Sequence, residues 1–441
     1  MDKQSAKFLL FAYIIIIFLG TLILLLPQMH SKDLNFIDAL FMVTSAISST
    51  GLVVKSVFSD FTFLGQIFLL FLIQVGGLGY MIIASFIYIF FKNSFVKNKI
   101  LKSNIDLTFK DDLSLVLKNM IILVLLIEFF GALILFLFFY PMMGFLNALW
   151  AGIFHSISAF NNAGFSVFQG GMLPYVHHYG VNLTISILVI LGGLGYFVLL
   201  EIFHLIKRKN LSIHTKIVII GTISLILISW IFFFLLEYHN QDSLESFDFQ
   251  EKLLASFFTI INYRTSGFNT LDLSMIRDTS LFFASLFMII GGSPAGTAGG
   301  IKITTIVVVI LYIYWSIKGE ERVIVFRREI EKEIVYQAYL IIMLTFFVLI
   351  ISLMVLSFLE DGNQRGFLAL LFEVCSAFST TGLSVGNGDD LSLSALFGDS
   401  GKMLIIFLMI MGKIGALAFL IGFFRQQKQS RISYVQTKIL L

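Results

Sequence analysis

The stretch SAFNNAGFSV, residues 158–167, sets two asparagines and a glycine inside a chain that otherwise reads as membrane helices. It ends a moderately apolar segment, GIFHSISAF (152–160), that is too short to cross a bilayer, which takes roughly 20 residues of helix. The same pattern returns as FMVTSAISSTGLVV (41–54), SFFTIINYRTSGFNTL (256–271) and LFEVCSAFSTTGLSVG (371–386). The central glycines, Gly51, Gly164, Gly267 and Gly382, stand 113, 103 and 115 residues apart. One glycine turn between helices reads as an ordinary extracellular loop. Four in register, each after a half-length apolar segment, are an internal repeat. The expected fold is therefore an all-α polytopic membrane protein, four copies of helix, re-entrant half-helix with glycine turn, and helix, around one central pore.

Composition agrees. Of 441 residues 58% are hydrophobic and 13% charged, with 50 Phe and a mean hydropathy of +0.94, which excludes a soluble globular protein. Eight apolar segments are long enough to span, near residues 8–26, 63–91, 119–140, 185–206, 217–236, 280–315, 334–358 and 403–424. The first is too long for a signal-peptide core and lacks a small-residue cleavage site, so it reads as a membrane helix. Of the 30 Lys and Arg, 21 fall in the two tails and alternate loops, which puts both termini in the cytoplasm. The copies divide as 1–92, 93–209, 210–332, with its second helix broken at 291–302, and 333–441, with a short cytoplasmic tail.

Other classes find little support. The formal charge of +3 is too slight for nucleic-acid binding. The single Cys375 permits no internal disulfide, and no Cys/His cluster has zinc-site spacing. His155, His177, His178 and His204 are scattered and read as structural. An embedded enzyme would need paired carboxylates or a nucleophile in the spans, but Glu128, Glu201 and Glu373 lie in different copies and form no such motif.

A cation crossing hydrocarbon needs its hydration shell replaced, and a ring of backbone carbonyls does so without placing net charge in the membrane. Glycine lets the chain turn its carbonyls inward, and each half-helix aims the negative end of its dipole at the ion. The candidate filter residues are Ser49, Thr50 and Gly51; Asn162, Ala163 and Gly164; Thr265, Ser266 and Gly267; and Thr380, Thr381 and Gly382. Arg264, just before the third set, either braces that loop or sets its field.

A second anomaly is IIGGSPAGTAGGIKITT (289–305), whose five glycines and Pro294 cannot sustain a helix. It matches neither a Walker loop nor a dinucleotide turn. It reads either as a flexible obstruction below the filter or as a structural linker. The candidate gate residues are Gly291, Gly292, Ser293, Gly296, Thr297, Gly299, Gly300 and Lys302. The equivalent spans carry GGLGY (76–80 and 192–196), read as close helix packing, and MGKIGAL (411–417). Lys413 in mid-span is a functional candidate. It either faces the pore, held by the loop's carbonyls and the hydroxyls of Ser293 and Thr297, or pairs with Glu128, Glu201 or Glu373.

The four pore loops, SAFNNAGFS, NYRTSGFNT and GGSPAGTAGGIK together resemble the Trk/Ktr/HKT superfamily of potassium transporters over nearly the whole chain. Trk-type subunits usually carry two extra helices ahead of the first repeat, whereas here that repeat begins near residue 8, as in the Ktr membrane subunit. The resemblance implies potassium uptake at the plasma membrane through one pore per subunit, with potassium as the only metal, bound at the filter, and residues 291–302 as an intramembrane gate. It further implies a homodimer on a cytosolic ring of nucleotide-binding regulatory subunits of the KtrA or TrkA type, so that any nucleotide is bound by the partner and no cofactor by this chain. The family usually has arginine at the position of Lys413, proline at that of Ala416, and glycine or serine at that of Ala295. A Trk-type transporter, or a sodium-conducting member with serine at the first filter glycine, is the alternative; Gly51 argues against the latter. Sodium dependence is left open.

Overall fold

A computed structural model describes residues 3–90, 113–204, 210–320, 322–360, 366–386 and 391–423. Three of its helices are continuous and apolar enough to cross a membrane: α4 (Leu113–Met143), α8 (Ile213–Glu237) and α12 (Lys332–Leu359). They are apolar all round because one side meets lipid and the other meets protein. On α4, Phe129, Phe130 and Leu137 face outward while Leu135 and Phe139 are buried. With α1 (Lys3–Leu24) these helices form the outer wall.

Four short helices lie inside: α2 (Phe36–Ser48), α5 (Phe145–Phe160), α9 (Phe249–Asn262) and α13 (Phe367–Ser379). Their polar residues are buried as deeply as their apolar ones. Thr44, Ser45, Ser156, Ser158, Ser256, Glu373 and Ser376 are all closed off, the reverse of a soluble helix.

A third set of elements departs from the expected unbroken spans at 63–91, 185–206 and 403–424. Inside α3 (Phe63–Phe90), Gly79 takes φ 27° and ψ −106°. Between α6 (Tyr179–Leu194) and α7 (Tyr196–His204), Gly195 at φ 87° turns the axis by 103°. Gly415 at φ 92° separates α14 (Asp399–Ile414) from α15 (Ala416–Phe423). Only glycine takes such dihedrals without strain, so the GGLG and GKIG motifs break the helix as well as pack it. The remaining member stops at α10 (Asp278–Met288) and resumes at α11 (Ile303–Ile317), leaving 289–302 non-helical, as the run of glycines predicts. The all-α expectation misses one minimal hairpin, β1 (Ile324–Val325) with β2 (Arg328–Glu329), whose turn residues Phe326 and Arg327 have positive φ and so suit a tight turn.

The first and last quarters of the chain are joined by an ion pair. Asp38, in the first turn of α2, accepts from Lys402 Nζ on α14 at 2.7 Å, and Lys55 Nζ stands 3.8 Å away. Both Asp38 and Lys402 are buried. Removing one partner of such a pair strands the other charge, at a cost of about 3–5 kcal/mol, whereas replacing both by apolar groups is often neutral. Asp38→Asn is expected to lower the melting temperature in detergent sharply, and the double variant Asp38→Leu/Lys402→Met to recover most of the loss. Equal melting temperatures for Asp38→Asn and the parent would show that the pair does not hold the seam.

Candidate functional site: a ring of four glycine loops

Each inner helix ends in a turn of one design. Two residues before the glycine, Ser49, Asn162, Thr265 and Thr380 all take left-handed φ values, 51°, 54°, 66° and 54°. The glycines follow at φ 97°, 69°, 81° and 84°. Serines of the helices pin these turns: Ser45 Oγ accepts from the Gly51 N–H at 3.1 Å, and Ser158 Oγ donates to the Phe165 carbonyl at 2.8 Å.

The four turns meet in cyclic order. A Cβ added to Gly51 would lie 2.6 Å from the carbonyl oxygen of Ala163, and one on Gly164 would lie 2.6 Å from that of Ser266. On Gly267 it would lie 3.1 Å from the Thr381 oxygen, and on Gly382 it would collide with that of Thr50. The carbonyls of Thr50, Ala163, Ser266 and Thr381 therefore lie each against the next glycine, closing a ring of backbone oxygen with no room for a side chain. All twelve candidate filter residues come together here.

Above the ring is a cavity of about 440 Å³, lined by the four glycines and by polar groups such as Ser166, Asn269, Ser384 and Ser392. Asp272 is the one charged side chain lining it among the described residues. It is exposed, and its Oδ1 accepts from the N–H and hydroxyl of Ser274 at 2.9 and 2.7 Å. Sequence reasoning does not find it, because nothing in the chain order signals that 272 reaches the cavity.

Beneath the ring, residues 289–302 are held by hydrogen bonds on three sides. Ile289 and Ile301 bridge the ends of the segment, with the Ile301 N–H donating to the Ile289 carbonyl at 3.0 Å. Ser293 N–H donates to the Gly193 carbonyl at 2.9 Å, and the Tyr196 N–H to the Ala295 carbonyl at 3.1 Å, tying the loop to the α6–α7 break. On the other side the Gly299 N–H donates to Thr380 Oγ1 at 3.0 Å and the Gly300 N–H to the Gly412 carbonyl at 3.3 Å. Gly291 and Gly292 abut the Gly299 and Gly193 carbonyls. Lys302 Nζ donates to the Ala298 carbonyl at 2.6 Å, within the segment itself.

Lys413 Nζ donates to the Thr297 carbonyl at 2.6 Å and to Ser49 Oγ at 3.3 Å. The hydroxyls expected to hold it do not: Ser293 Oγ turns to the Pro294 carbonyl, and Thr297 Oγ1 is buried without a partner. The three candidate counter-charges are engaged elsewhere. Glu128 accepts from Gln74 and Asn161, Glu201 from Ser212 and Thr215, and Glu373 from Ser384 and Ser394. Arg264 is buried, with one guanidinium nitrogen 3.5 Å from the Gly291 carbonyl, so it reaches from the third turn to the start of the segment below.

A brace behind two of the turns also escapes sequence reasoning. Nine residues before Gly164 stands His155, whose Nε2 meets Ser166 Oγ at 2.9 Å; nine before Gly382 stands Glu373, which accepts from Ser384 Oγ at 2.6 Å. Ser166 and Ser384 each follow their glycine by two. Aligning the four motifs displays that register; scanning them singly does not.

A buried carbonyl ring under a polar cavity, in a bundle walled by lipid-length helices, is the architecture of a polytopic membrane protein. The chain matches the model of the TrkH family, described as a cation transport protein, over residues 6–433, and it belongs to that family. It is 36% identical to the Ktr system potassium uptake protein B of Bacillus subtilis (strain 168), covering 96% of this chain and 93% of that one. To the protein of the same description from Vibrio alginolyticus it is 34% identical, over 92% of this chain and 89% of the other. It is 32% identical to the potassium/sodium uptake protein NtpJ of Enterococcus hirae, over 96% and 93%. In fold it matches the crystal structure of the potassium transporter TrkH from Vibrio parahaemolyticus, with a TM-score of 0.77 over 96% of this chain and 85% of that one, at 17% identity.

A carboxylate lining a cavity raises the cation concentration within it, an effect that salt screens. Asp272→Asn should raise the half-saturating rubidium concentration by about threefold in low-ionic-strength medium. The difference should vanish when N-methylglucamine chloride is added to high concentration. A salt-independent change, or none, would remove Asp272 from the approach path.

Proposed function

We propose that this chain takes up potassium through a single channel-like pore whose selectivity filter is the carbonyl ring at Gly51, Gly164, Gly267 and Gly382. The observation that carries the reading is the cyclic contact of Thr50, Ala163, Ser266 and Thr381 oxygens with the next glycine in turn. Carbonyls so arranged can stand in for the hydration shell of a dehydrated cation. Two relatives of more than 30% identity, named as potassium uptake proteins, support potassium as the ion. The relative named as a potassium/sodium uptake protein supports sodium as a second, coupled or competing ion.

On this reading the four copies, 1–92, 93–209, 210–332 and 333–441, each supply a quarter of the filter. Residues 291–302, with Lys413, form the gate. The loop is hydrogen-bonded to the α6–α7 break, to α14 and to the fourth turn, and Lys413 joins it to Ser49 of the first, which supports a place beneath the ring. An ammonium there repels a descending cation in a poorly screened space. Both termini are cytoplasmic, in the plasma membrane, in keeping with the distribution of Lys and Arg. The working unit is a homodimer on a cytosolic ring of nucleotide-binding regulatory subunits, a partner that the Ktr system naming of the relatives supports.

Two experiments test this. Gly51→Ser or Gly382→Ser should lower the ratio of rubidium to sodium influx in liposomes, since a side chain does not fit the ring; unchanged ratios in all four single Gly→Ser variants would sink the filter assignment. Deleting residues 294–298 and, separately, Lys413→Ala should each raise basal flux. Together they should give less than the product of the two effects, because they remove one shared barrier. Flux unchanged or reduced in both, with the protein folded, would make the segment a linker and Lys413 a structural cation.

A further inference from the structure

Behind the first and second turns, three side chains from three elements close a triangle of hydrogen bonds. Asn161, which opens the turn out of α5, donates from Nδ2 to Gln74 Oε1 at 2.8 Å and to Glu128 Oε1 at 2.9 Å. Gln74 on α3 donates from Nε2 to Glu128 Oε2 at 3.0 Å. Both oxygens of the carboxylate are thus engaged, and no Lys or Arg contributes among the described residues. Glu128 is 5% exposed and Asn161 fully buried.

The place of the triangle is what gives it a consequence. Asn161 directly precedes Asn162, which takes the left-handed conformation that swings Ala163 and Gly164 into the ring. Gln74 lies two residues before Gly76, whose Cα is pressed against the Ile47 carbonyl at the end of α2. The Asn161 side chain is in turn packed on Gly77. Glu128 therefore stands where the mountings of the first and second turns join. A buried carboxylate is costly unless its acceptors are filled, so it is an expensive choice for mere packing. As an acceptor for two separate amides it holds both at once with a fixed separation, and hydrogen bonds to charged groups are the strong ones.

We propose that Glu128 is a positioning residue for ion selection: through Asn161 and Gln74 it fixes the spacing of the first two filter turns, and losing it lets the ring relax toward admitting sodium. This rests on the filter reading above. The effect is exerted through the turns, since Glu128 does not touch the ring itself.

The test is a swap of partners. Glu128→Gln keeps size and shape but replaces one acceptor oxygen with a donor, so it faces the amide of Asn161 or Gln74 donor to donor. The backbone carbonyl of residue 128, which accepts from Ser156 Oγ at 2.6 Å, is unaffected, so α4 and α5 stay tied. The rubidium-to-sodium influx ratio should fall by about tenfold, the size of one lost hydrogen bond to a charged group. Adding Gln74→Glu exchanges carboxylate and amide and satisfies the triangle again: the amide introduced at position 128 accepts from Asn161 Nδ2 and donates to the carboxylate introduced at position 74, which also accepts from Asn161 Nδ2. The double variant should recover most of the ratio. Thermal unfolding in detergent is measured alongside. A Glu128→Gln protein with the parent's ratio overturns the proposal. So does a double variant that regains the parent's melting temperature but not its selectivity, for then the triangle only holds the helices together. The four single Gly→Ser variants are run in parallel: if all of them retain the parent's ratio, the filter reading fails, whereas a loss there with none in Glu128→Gln fails the brace alone.

Discussion

Backbone that is not helical at membrane depth has to find partners for its N–H and C=O groups inside the protein or along a watery cavity. Among the described residues this chain leaves its apolar helices at four turns and four breaks, and the packing around them meets that demand. Serines on the inner helices satisfy the turns. The segment at 289–302 draws its partners from the glycine breaks on either side of it. The carbonyls of Thr50, Ala163, Ser266 and Thr381 are set in cyclic order, each against the glycine of the next turn.

The polarity of the molecule follows from the same demand. Long helices carry Phe and Leu outward, where lipid is indifferent to them, and Ser, Thr, Asn and single acids are gathered inward. Charged groups inside are few, and each has a defined partner: Asp38 meets Lys402, Glu373 meets Ser384 and Ser394, Lys413 meets a carbonyl. Lys413 is the instructive case, because a lysine in hydrocarbon is usually read as half of an ion pair. Here its stabilisation comes from a backbone oxygen that the broken helix has freed.

Much of this is legible in the sequence. The spacing of Gly51, Gly164, Gly267 and Gly382 foretells four equivalent turns, and five glycines with Pro294 foretell the break after Met288. The breaks at Gly79, Gly195 and Gly415 are harder to see, because a single positive-φ glycine in an apolar run has the same spelling as a packing glycine. Long-range partners are illegible for a different reason. Whether Lys413 faces Thr297 or Glu373, and whether Glu128 meets an amide or a lysine, depends on which copies are neighbours across the axis, and periodicity along the chain carries no information about that. Asp272 escapes notice because its importance lies in what the cavity lacks, which is any other described charge.

The cyclic order of the contacts also bears on how the molecule comes into being. Gly382 leans on Thr50, and Lys402 on Asp38, so the circle is completed between the beginning of the chain and its end. A polypeptide emerging from the ribosome with three quarters of its length inserted holds three arcs and a gap, with Asp38 buried beside an empty place. Neither the Gly382–Thr50 contact nor the Lys402–Asp38 pair can form before the last quarter is in place, so the closed ring is a late event in the life of the chain.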